Sequence, residues 1–83
     1  MEDKRLDSAN KTYTPASRTT VSIDYSADKK ILEVEFIGAK VYHYLKVEPA
    51  IWSLYTEIII SGGSSGVFVN QQIKPVYAFR GIH

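Results

Sequence analysis

The sequence has no cysteine. Disulfides, thiolate metal centres and cysteine nucleophiles are therefore excluded. It carries little net charge: ten Lys/Arg against nine Asp/Glu leave +1. That excludes a strongly basic nucleic-acid arm and an acidic solvating tail. No run approaches the ~20 apolar residues that span a bilayer, and no basic start leads into the apolar stretch of a signal peptide. The expectation is a soluble, cytoplasmic protein with no membrane partner. The chain is also short. Its 83 residues make a single domain, and a domain of that size buries only about 60% of its unfolded surface. What it has in quantity is aromatic side chains, ten in all, nine of them between Tyr25 and Phe79.

Residues 1–17 read as a flexible N-terminal tail, with residues 18–83 as the domain. Glu2, Asp3, Lys4, Arg5 and Asp7 alternate in sign, and only Leu6 and Tyr13 could anchor the segment. So little apolar surface does not offset the entropy of ordering, although the end of the tail can lie along the domain. Thr19–Tyr25 alternates with period two and predicts a strand with Val21, Ile23 and Tyr25 on one side. Ile31–Ile37 predicts a second strand, with Leu32, Val34 and Phe36 opposite Glu33 and Glu35. Lys40–Val47 predicts a third, with Lys40, Tyr42, Tyr44 and Lys46 in one row and Val41, His43, Leu45 and Val47 in the other. A two-residue turn at Gly38-Ala39 puts both tyrosines on the glutamate face. A three-residue turn puts them in the core. Loop-length preference favours the two-residue turn.

Pro49 opens a helix at the first-turn position that tolerates its missing N–H. Ile51, Trp52, Tyr55, Ile58 and Ile59 recur at helical spacing, and Ser61-Gly62-Gly63 ends the element. Residues 64–73 fit a short helix capped by Ser64 or Ser65. Val67 and Val69 also fit a strand, and the helix is the better match. Pro75 ends it, and Val76–Phe79 returns as a last strand that runs into Arg80. The expected fold is α+β: a small antiparallel sheet of three N-terminal strands and a C-terminal strand, with helix packed on one face.

Few residues carry chemistry. His43 and His83 have no ligand spacing around them, so no metal site and no cofactor is expected. His83 reads as a solvated terminal residue and His43 as an exposed or half-buried strand residue. Ser61, Ser64 and Ser65 lack a base placed to activate them. The loop 61–66 has no lysine in P-loop position, although the amides of Ser65 and Gly66 could hold an isolated phosphate. Glu33 and Glu35 could form an acid/base pair, but fit better as a solvent face or as salt partners of Lys40 and Lys46. No enzyme is expected; as a third reading, it would need a pocket joining His43 to a carboxylate. One constellation remains. Tyrosines flanked by lysines on an exposed strand face, here Lys40, Tyr42, Tyr44 and Lys46, are a common way to stack bases and meet phosphates. Lys74 and Arg80 add positive charge to a C-terminal stretch with no acid after Glu57. Ordinary packing of the two tyrosines is the structural alternative.

The order of segments resembles a known family. Tyr42-His43-Tyr44 follows Leu32-Glu33-Val34-Glu35-Phe36. Ser64-Ser65-Gly66-Val67-Phe68-Val69-Asn70, Ile73-Lys74 and Tyr77 come later. This resembles the KTSC domain, a module at the C-terminus of some lysyl-tRNA synthetases that also occurs as small stand-alone bacterial proteins. The match runs from about Val21 to Tyr77. Ser64, Gly66, Phe68, Asn70, Ile73, Lys74 and Tyr77 fall on its motif positions. Two features depart from the family pattern: Glu48 separates Val47 from Pro49, and the loop Ser61-Gly62-Gly63 is long. The resemblance implies no catalytic set, and for RNA binding only a suggestion from the synthetase association. The expected function is thus a non-catalytic module with a weak, local site for RNA, tRNA-like RNA included, made by Lys40, Tyr42, Tyr44, Lys46, Lys74 and Arg80. The rival is a protein-interaction or structural module, pairing through a strand edge with another protein or a second copy.

Overall fold

Alternating β-branched, aromatic and polar residues produce three central strands in the computed structural model, which describes residues 5–6 and 10–82. The tail charges at 1–4 and 7–9 and the terminal His83 lie outside the described residues. The sheet runs β1 (Thr12–Tyr13), β2 (Thr20–Ser26), β3 (Ile31–Phe36), β4 (Lys40–Tyr44) and β5 (Phe79–Ile82) in that spatial order, every neighbouring pair antiparallel. Helix α1 (Pro49–Ile60) and helix α2 (Ser65–Phe68), which continues into a π-helical turn at Val69–Ile73, connect β4 to β5. Ile23, Tyr25, Leu32, Val34 and Tyr44 of the sheet pack against Val47, Tyr55, Phe68, Val69 and Ile73. The result is an α+β fold with helix on one face of the sheet.

Helix α1 behaves as its spacing predicts. Tyr55 is buried, and Ile51, Trp52, Ile58 and Ile59 pack partly against the core. Trp52 stacks on Tyr25 with ring centroids 5.4 Å apart. The β-branched run Ile58-Ile59-Ile60, a poor helix former, stays helical, and the helix closes on two glycines. Gly62 adopts φ +87°, and the Gly63 N–H donates to the Ile58 carbonyl at 2.8 Å. This six-to-one bond is the usual glycine-terminated helix end.

Four expectations about strands need correction. The hairpin between β3 and β4 has a three-residue turn, not two: Phe36 pairs with Lys40, Val34 with Tyr42 and Leu32 with Tyr44. Both tyrosines therefore share the face of Leu32, Val34 and Phe36. Burial explains the choice. Each aromatic ring taken out of water contributes about 1.5–3 kcal/mol, more than the ~1–2 kcal/mol cost of one non-glycine residue in the left-handed region. That residue is Ala39, at φ +60°, beside Gly38 at +92°. Second, β4 ends at Tyr44 rather than Val47, and Lys46 turns the chain at φ +60°. Third, the last strand is Phe79–Ile82 rather than Val76–Phe79 running into Arg80, so it starts three residues later. The N–H groups of Val76 and Tyr77 instead close the preceding helical segment on the Ile73 carbonyl. Fourth, Val21 leaves the core row, because the β2–β3 register shifts between Thr20 and Ser22. Val21 is exposed, while Thr20 and Ser22 are buried.

The end of the tail adds a strand. Thr12 pairs with Ile23 and Tyr13 with Ser22. Buried Thr14 then hydrogen-bonds Thr20 at 2.7 Å.

Candidate functional site

The helices do not cover the whole core-facing side of the sheet. Where they stop, a concavity of about 560 Å³ opens, lined by Arg18, Thr19, Phe36, Ile37, Lys40, Tyr42, Tyr44, Lys74 and Phe79. Strand register supplies its aromatic floor. Tyr42 touches Phe36 edge-on at 5.6 Å and Phe79 at 5.6 Å, and Tyr44 meets Phe79 at 5.8 Å. Tyr44 is only 2% exposed and Tyr42 is half-buried, whereas Phe79 is 60% exposed. Burial pushes the Tyr44 hydroxyl pKa up, and Tyr42 adds to the effect. The open stacking surface is therefore Phe79 with the edge of Tyr42, not the tyrosine pair.

Three cations surround this floor, and among the described residues no carboxylate lines it. Lys40 is the cross-strand partner of Phe36. Lys74, at the end of the π turn, holds its Nζ 5.3 Å from the Phe36 ring centre, a cation–π contact. Arg18 is carried by the segment whose Thr19 carbonyl accepts the Ile37 N–H at 3.0 Å. Lys40, Tyr42, Tyr44 and Lys74 are thus brought together as the sequence suggests, whereas Lys46 and Arg80 do not line the groove. Arg80 pairs with His43 across β4–β5 and so belongs to the opposite face. Arg18, Phe36 and Phe79 were not legible as site residues. Their joining depends on the hairpin register and on a strand displaced by three positions.

The motif residues of 64–77 hold this wall in place. Ser64 caps α2 by accepting the Val67 N–H. Ser65 is buried and bonds the Tyr55 hydroxyl. Gly66 lies so close to the 17–19 segment that a Cβ there would sit 2.2 Å from Thr19 Oγ1 and 3.2 Å from Ser17 Oγ. Ser65 and Gly66 are therefore filled-in packing positions, which corrects the expectation of a phosphate on their amides. Phe68 and Ile73 enter the core and Tyr77 packs partly against it. Asn70 is exposed.

The opposite face of the sheet also departs from expectation. Glu33 and His43 are cross-strand partners, 2% and 5% exposed, with His43 Nε2 at 2.9 Å from Glu33 Oε1. Arg5 donates to Glu33 Oε2 at 3.0 Å and to Glu35 Oε1 at 3.1 Å, and the Leu6 N–H donates to Glu33 Oε1. Glu33 and Glu35 are thus partners of Arg5 and His43 rather than of Lys40 and Lys46. Burial pushes the Glu33 pKa up, but the bonds from His43, Arg5 and Leu6 outweigh it and hold the carboxyl at about 2. Asp24, beside Glu33, accepts the Asn10 and Tyr25 amides through Oδ1. This buried network clasps the N-terminal segment, and the aromatic groove lies on the other side of the sheet. Among the described residues no cluster of His, Cys, Asp and Glu is arranged to hold a metal ion, and no helix is long and apolar enough to cross a membrane.

Fold and groove together define a small α+β module with an open aromatic and basic groove. The chain belongs to the KTSC domain family, whose profile matches residues 16–77. It is similar to the crystal structure of a KTSC domain protein from Yersinia pestis, with 27% sequence identity over 89% of this chain and 97% of that chain, at a TM-score of 0.70. No curated protein matches the chain. Phe79 and the rest of β5 lie beyond the matched residues.

Proposed function

We propose that this protein is a non-catalytic, cytoplasmic module that binds single-stranded RNA weakly in the groove between Phe36 and Phe79. The observation that carries this reading is the pairing of an aromatic floor with Arg18, Lys40 and Lys74, with no lining carboxylate among the described residues. Rings stack bases of any sequence, and the cations meet phosphates. Near-neutral net charge limits binding to this local site. With three phosphate contacts, affinity for a single strand should weaken roughly 20-fold between 50 and 200 mM salt. Anisotropy titration of a labelled RNA hexamer tests this. Salt-sensitive binding, lost on Phe79→Ala or Lys40→Glu, is expected. Binding that neither salt nor these variants change would count against it.

One observation favours the rival, a protein-pairing module: β5 is an edge strand and carries the exposed Phe79. Open edges recruit further strands. Sedimentation showing a stable dimer together with no RNA binding would support it.

A further inference from the structure

The cations of the groove are not spread along it. Lys40 faces Phe36 across the strands, Lys74 sits over the Phe36 ring, and Arg18 adjoins the Thr19–Ile37 backbone bond one residue beyond Phe36. All three gather at the Phe36 end. The exposed ring, Phe79, lies at the other end, reached from Phe36 through Tyr42. Among the described residues, none of the three cations is in an ion pair. The ion pairs there use Arg5, Lys30 and His43. The remaining candidates for a basic path do not extend the groove, since Lys46 is outside its lining and Arg80 is on the other face.

A protein that tracks a strand presents cations repeatedly along a groove, each near a stacking ring. Here one cationic end and one aromatic end are separated by one ring, Tyr42, which meets Phe36 and Phe79 edge-on. Centroid steps of 5.6 Å and 5.6 Å place the two ends no more than about two ring widths apart. That is the scale of a nucleotide, with its phosphate at one end and its base at the other.

Resting on the RNA reading above, we infer that the groove is a polar site for one or two nucleotides: a phosphate held among Arg18, Lys40 and Lys74, and its base on Phe79. A terminal phosphate, carrying more negative charge than a bridging one, best suits three cations that are in no ion pair among the described residues. The ligand class is therefore a short strand end bearing a terminal phosphate rather than an internal tract.

A length series tests this: 5′-phosphorylated oligouridines of two, four and eight nucleotides, and the same three without the phosphate, titrated at 50 mM salt. The phosphorylated dinucleotide is expected to bind within about threefold of the phosphorylated octamer. Removing the phosphate is expected to weaken the dinucleotide at least tenfold, and Lys74→Ala to abolish that phosphate dependence. A tenfold or greater rise in affinity from two to eight nucleotides, or indifference to the phosphate, would overturn the inference while leaving RNA binding intact. No binding of the octamer at all would overturn both.

Discussion

Glu33 shows how a buried charge can stabilise this domain. Desolvation alone would raise its pKa, yet His43, Arg5 and the Leu6 amide hold it at about 2, against an ordinary 4.5. A carboxyl with a depressed folded-state pKa contributes stability that is present above its unfolded value and is lost as pH falls through the folded one. The contribution, on the order of 3 kcal/mol, should therefore disappear between pH 4.5 and about 2. Urea unfolding across pH 7 to 3 should show wild type losing stability more steeply than Glu33→Gln, and parallel curves would contradict the role. Gly66 is a second single-residue case. A methyl group at 2.2 Å from Thr19 Oγ1 cannot fit without movement, so Gly66→Ala should destabilise by about 1–3 kcal/mol. The double variant with Thr19→Ala should recover part of that loss in thermal melts, because the Thr19 Cβ itself lies at 3.5 Å. None of this was legible beforehand. Glu33 reads as a solvent-facing strand residue because its partners are 28 and 10 residues away in sequence.

At the scale of the element, the hairpin decides everything that follows. One residue more in the turn moves Tyr42 and Tyr44 from the glutamate face to the core face and brings Glu33 opposite His43. Strand positions for Ile31–Phe36 and the helix from Pro49 were readable, because alternation and helical spacing are local signals. Register was not, because two turn lengths satisfy the local chemistry and only burial of distant rings separates them. The turn retains strain at Ala39, φ +60°. Ala39→Gly should relieve it and stabilise the domain by about 0.5–1 kcal/mol, read as a rise in melting temperature with no change in RNA affinity. β5 was misplaced for a related reason. Val76 and Tyr77 have strand-forming side chains, but their amides are used to end the helical segment after Ile73.

For the whole molecule, the sheet separates two chemistries. One face buries an acid–histidine–arginine network that fastens the N-terminal segment, which then pairs along β2 and brings Arg18 round to the groove. The other face carries the core and, beyond the reach of the helices, the open rings and cations. The net charge of +1 therefore leaves the local cluster of Arg18, Lys40 and Lys74 for the proposed RNA contact, because on the opposite face Arg5 and His43 are paired with Glu33. The most direct test of the central claim is amide and side-chain chemical-shift mapping by NMR with a single-stranded RNA tetramer. Perturbations should centre on Phe36, Lys40, Tyr42, Lys74 and Phe79, leaving Asp24, Glu33 and His43 unmoved. Shifts concentrated on the Glu33–His43 face or along the outer edge of β5, or no shifts at all, would contradict it.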